Sequence, residues 1–68
     1  MNNMMYNGQY ECEGHIVSFT VCEEDETVLI KETFISGSSV SNNERKESLS
    51  KAIHFQNSLK KYGYDKVS

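Results

Sequence analysis

From Gln9 to Ile35 the chain alternates apolar and polar residues with period two, and the alternation runs on only if Glu13-Gly14 is a two-residue turn. Glycine suits that place because tight hairpin loops need positive φ. Strands over 6–12 and 15–22 then pair Cys12 with His15, Tyr10 with Val17, Gly8 with Phe19 and Tyr6 with Val21. This register gathers Tyr6, Tyr10, Val17, Phe19 and Val21 on one face and turns Glu11, Ile16, Ser18 and Thr20 to the other. Asn7-Gly8 is a rival turn signal that would fold Asn3–Tyr6 back on the next strand, but it gives a poorer facial pattern.

The acidic run Glu23, Glu24, Asp25 and Glu26 leads into a third strand over 27–35. Opposing Val21 with Val28 also opposes Phe19 with Ile30 and His15 with Phe34, so the same face stays apolar. Glu32 breaks the pattern. It would face inward opposite Val17, which calls for a bulge or a position at the rim.

Beyond Ser36-Gly37-Ser38-Ser39 the period reads as helical, with a linker over 36–41 and a helix over 42–62. Ser41 is the expected N-cap, and Glu44 three residues later would complete a capping box. Gly63 is the stop signal. Leu49, Ala52, Ile53, Phe55, Leu59 and Tyr62 share one side of this helix, and Asn43, Glu47, Ser50, His54, Asn57 and Lys61 the other. Lys60 and Lys61 suit the negative end of its dipole.

The expected architecture is α+β: a three-stranded antiparallel β-meander over 6–35, followed by one C-terminal α-helix packed across its apolar face, with a tail over 63–68. All 68 residues make one domain, with residues 1–5 expected to be loose. A chain this short buries only about 60 % of the surface its unfolded form exposes, so its core is small. Outward-facing Ile16, Leu29 and Ile35 then become candidate contact surface. In a simple meander the strand over 27–35 is an edge, open to a partner's strand or to a second copy, with Lys31 and Glu32 as its guards.

Charge is divided along the chain. Residues 1–35 carry seven acids against Lys31 alone, a net of −6, and residues 36–68 carry six bases against three acids, a net of +3. With 37 % hydrophobic and 25 % charged residues the chain is too apolar for a disordered tail. The longest uninterrupted apolar run, Val28-Leu29-Ile30, is far short of the ~20 residues that cross a bilayer. No basic region with an apolar stretch behind it marks a secretory signal, so a soluble cytoplasmic protein with reduced thiols is the expectation.

Cys12-x-x-His15 with Cys22 and His54 supplies the ligand types of a zinc site, but the hairpin register sets Cys22 at the far end of the second strand on the other face. No metal and no cofactor is therefore expected. Neither cysteine has a glycine-rich turn or oxyanion hole beside it, and so small a domain has little room for a water-excluding cleft, which argues against an enzyme. Helix bases Arg45, Lys46, Lys51, Lys60 and Lys61 could track phosphates and Tyr6, Tyr10, Tyr62 and Tyr64 could stack on bases. Those bases form no stripe, however, and a pI near 5.2 disfavours nucleic acid.

The leading functional expectation is a small protein-binding inhibitor or adaptor. Its acidic sheet end and hairpin tip, with Glu11, Glu13, Glu23, Glu24, Asp25 and Glu26 beside Ile16 and Leu29, would occlude a basic surface of a partner protein, for instance a nucleic-acid-processing enzyme. By analogy of size and charge such chains suit phages and other mobile elements. The bland alternative is a solvated hairpin tip that only keeps the protein soluble. Two further alternatives are a structural homodimer or small subunit joined through the strand over 27–35, and a nucleic-acid-binding module using the helix.

Overall fold

The computed structural model describes residues 7–67. Glu13 and Gly14 adopt φ of 47° and 85°, the two positive values of a type I′ turn, and join β1 (Gly8–Cys12) to β2 (His15–Cys22). The pairing is Gly8 with Phe19, Tyr10 with Val17 and Cys12 with His15, as the alternation demands. The expected partnership of Tyr6 with Val21 lies outside the described residues; the Val21 amide donates to the Asn7 side chain at 2.8 Å, just before β1 begins.

After the acidic loop, β3 (Thr27–Ser36) pairs with β2 without interruption, from Cys22 opposite Thr27 to His15 opposite Phe34. No bulge displaces Glu32: it faces inward opposite Val17 and is only 8 % exposed.

The segment expected to be linker and early helix is a strand. Gly37 at φ 60° and Ser38 make a two-residue turn of the II′ kind into β4 (Ser39–Ser48), which pairs with all ten residues of β3. Ser41 therefore sits opposite Phe34 and Glu44 opposite Lys31, and the expected capping box does not form. The physical reason is the neighbour. Without β4, the backbone groups on that side of β3 would lie open beside a buried carboxylate, whereas residues 39–48 have no apolar stripe with which to hold a helix against the sheet.

The helix, α1 (Leu49–Lys61), starts where β4 ends, and the Ser48 hydroxyl accepts from the Lys51 amide at 3.4 Å as its N-cap. At its other end Tyr62 is the C-cap and Gly63 has φ 88°. The Gly63 amide donates to the Lys60 carbonyl at 3.2 Å and the Tyr64 amide to that of Leu59 at 3.0 Å, a Schellman termination. The chain then adds β5 (Asp65–Lys66) to β1, in place of the expected tail.

Among the described residues the result is an antiparallel five-stranded sheet in the order β4-β3-β2-β1-β5, rather than three strands, with one helix on one face. β3 is consequently an interior strand, and among the described residues the long open edge belongs to β4. Tyr10, Val17, Phe19, Val28 and Ile30 from the sheet meet Ala52 and Leu59 from the helix, with Leu49, Ile53 and Phe55 packed at the margin. Phe19, Ile30, Val17 and Val28 are fully buried, each contributing roughly 1.5–3 kcal/mol of transfer free energy. Tyr10 meets Phe19 edge to face at 5.9 Å between ring centroids, and burial pushes its phenol above the ordinary pKa. Tyr62, expected on the buried helix side, is 74 % exposed because the helix ends before it.

Candidate functional site

The carboxylates expected to form one acidic surface fall into two groups at opposite ends of β2. Glu11 and Glu13 lie beside the β1–β2 turn, while Glu23, Glu24, Asp25 and Glu26 form the β2–β3 loop; all six are exposed. Eight residues of strand between them correspond to about 23 Å at the usual rise per residue. Ile16 and Leu29 are half-buried on the face away from α1, with Ile16 opposite Thr33 toward the turn end and Leu29 opposite Thr20 toward the acidic loop. Leu29 is thus the only one of the two that lies near the loop.

Within that loop Asp25 is engaged. Its Oδ1 accepts from the Thr27 hydroxyl at 2.6 Å and its Oδ2 lies 3.7 Å from Lys46 Nζ. Hydrogen bonds from the Thr27 hydroxyl and the Cys22 thiol hold its carboxyl below the ordinary range, against a small opposing effect of burial. Glu23, Glu24 and Glu26 take no ion pair among the described residues.

A second constellation, absent from the sequence expectations, surrounds Glu32. Its Oε1 lies 2.7 Å from His15 Nε2, its Oε2 bonds the Arg45 guanidinium, and Arg45 Nε donates to Glu47 at 3.1 Å. The other ring nitrogen of His15, Nδ1, lies 2.7 Å from the Tyr64 hydroxyl, and the imidazole stacks on Phe34 at 4.4 Å. Burial alone would raise the Glu32 carboxyl, but the hydrogen bonds and positive charge supplied by Arg45 and His15 outweigh it and hold the pKa below the ordinary 4.5. Burial also raises the Tyr64 phenol, and the electrostatic influence of Cys12, Glu32 and Glu13 adds to the effect. The sequence signal for this cluster was the inward register of Glu32 itself.

Chemically the cluster acts as a tie between elements. Cys12 is the cross-strand neighbour of His15, yet both imidazole nitrogens are taken by Tyr64 and Glu32, which leaves none to accept a proton from the thiol. Cys22 lies at the far end of β2, His54 is exposed on the helix, and among the described residues no three His, Cys, Asp or Glu side chains are grouped to hold a metal ion. Cys12 and Cys22 are free thiols.

The bases expected along the helix are also redistributed. Arg45 and Lys46 belong to β4 and face carboxylates, leaving Lys51, Lys60 and Lys61 on α1. Between α1 and β4 runs an open groove of about 440 Å³, floored by Ile30 and Phe55 and bordered by Arg45, Glu47, Lys51 and His54. Arg45 lies over the Phe55 ring at 5.2 Å. Among the described residues no helix is long and apolar enough to cross a membrane. No protein-family model matches this chain, and comparison with curated proteins and with solved structures finds no match either.

Proposed function

We propose that this is a non-enzymatic protein-binding module, an inhibitor or adaptor, that docks the β2–β3 loop on a basic surface of a partner protein. The observation carrying this reading is the exposure of Glu23, Glu24 and Glu26 side by side on a loop whose two flanking strands are paired residue for residue. Closely spaced carboxylates steer encounter with Lys- and Arg-rich surfaces and compete for sites that otherwise take phosphate groups. Leu29 beside the loop supplies apolar contact area, and Glu11, Glu13 and Ile16 lie toward the other end of β2.

The test is comparative capture from native cell extract with the wild-type chain and a Glu23→Lys, Glu24→Lys, Glu26→Lys variant. Asp25 is kept because it holds Thr27 and Lys46. The expected result is a basic protein retained by the wild type and lost by the variant at unchanged Tm. An identical set of captured proteins for both chains rejects the proposal.

A further inference from the structure

The open edge of β4 has a charge order that is complementary to itself. We infer that a second copy of this chain pairs with β4, antiparallel, about a two-fold axis at Arg45, joining the two sheets into one. This inference is independent of the acidic loop.

The hydrogen-bonding alternation of the hairpin decides which groups are available. With Gly37-Ser38 as a two-residue turn, Ser36 and Ser39 form the first bonded pair, and bonded pairs recur at every second residue. The backbone N–H and C=O of Val40, Asn42, Glu44, Lys46 and Ser48 are therefore those that turn away from β3, to the outer side of the terminal strand. Their side chains share the sheet face opposite α1. The other sheet edge, β5, has only two paired residues and offers no comparable template.

Two-fold antiparallel pairing that keeps both helices on one face allows registers two residues apart, and the charges choose among them. Registers centred on Glu44, Arg45 or Lys46 all set two like charges opposite each other on the axis, and the Lys46 register also sets Arg45 opposite Glu47 twice, but only Arg45 has its charge already met by two carboxylates, Glu32 and Glu47, whereas Lys46 has Asp25 at 3.7 Å. Centred on Arg45, Glu44 of each copy opposes Lys46 of the other, so two opposite-charge pairs form within bonded positions, flanked by Asn42 opposite Ser48. On the helix side the same register brings Arg45 against its symmetry mate. Each guanidinium already lies between Glu32 and Glu47, so the axis would hold two cations among four carboxylates. The existing partners of the outer pair compete weakly: Lys31 with Glu44 at 3.6 Å and Lys46 with Asp25 at 3.7 Å are both about half exposed. The groove beside β4, with Phe55 in its floor, opens along the same edge and would face its counterpart across the axis.

Sedimentation and light scattering across micromolar concentrations test the inference with the wild type, Glu44→Lys and Lys46→Glu. The wild type is expected to be dimeric. Each single variant sets like charges opposite each other twice and should weaken dimerisation by at least about tenfold. An equimolar mixture of the two variants restores opposite charges at both places and should recover the dimer, a rescue that a merely misfolded variant could not show. A wild type that stays monomeric, single variants that dimerise as before, or a mixture that remains monomeric each overturns it.

Discussion

His15 Nε2 lies 2.7 Å from a carboxylate oxygen of Glu32, across the boundary between β2 and β3. A charged residue thereby occupies an inward position of the sheet at 8 % exposure, because His15 on one side and Arg45 on the other satisfy both of its oxygens.

Replacing Glu32 with Gln should cost about 2 kcal/mol at pH 7, the scale of charge-assisted hydrogen bonds lost from a buried site. The sign of the pH dependence follows from the lowered pKa. The unfolded chain takes up the proton first as pH falls, so this stabilisation is whole above the ordinary 4.5 and is lost as pH drops through the folded value. Urea midpoints for wild type and variant should converge between neutral pH and pH values below that range; parallel profiles would mean that Glu32 is not the titrating group.

Tyr64→Phe removes only the hydroxyl that meets His15 Nδ1 at 2.7 Å. The expected loss is about 1 kcal/mol, together with faster amide exchange at Val67, whose N–H donates to the Gln9 carbonyl and holds the last strand. Unchanged exchange there would separate the hydroxyl from the anchoring of β5.

Gly14→Ala and Gly37→Ala should differ although both glycines have positive φ. A Cβ at Gly14 would stand 2.6 Å from the Ile35 carbonyl oxygen, a backbone atom that cannot swing aside, while at Gly37 nothing lies within 4 Å. The first change should cost about 2–3 kcal/mol and the second about 1 kcal/mol, measured by denaturant titration.

Ser48→Ala should lower stability by about 0.5–1 kcal/mol through loss of the N-cap, with the low end favoured by its 3.4 Å bond. Ser41→Ala, on an exposed place in β4, should change Tm little. The reverse order would place the helix start where the local pattern had put it.

The β1–β2 hairpin and the pairing of β2 with β3 were legible from residues 8–35 because each strand has one buried face, so that only one register keeps Tyr10, Val17, Phe19, Val28 and Ile30 together. The helix face carrying Ala52 and Leu59, and its end at Gly63, were legible for the same kind of reason.

Residues 39–48 and the candidate site were a different matter. Ser41 and Glu44 carry a local helix-start signal, and an edge strand that buries little shows no alternation to oppose it. Only the assembled sheet decides that segment, since its backbone completes the hydrogen bonding of β3 and its Arg45 reaches a carboxylate thirteen residues away in sequence. The sequence by itself determined which faces are apolar and which turns are tight, because those depend on neighbours two to four places along the chain. Tertiary structure alone decided the partners of Glu32, the division of the acids between two ends and the identity of the open edge, because these depend on backbone and charge brought together from distant parts of the chain.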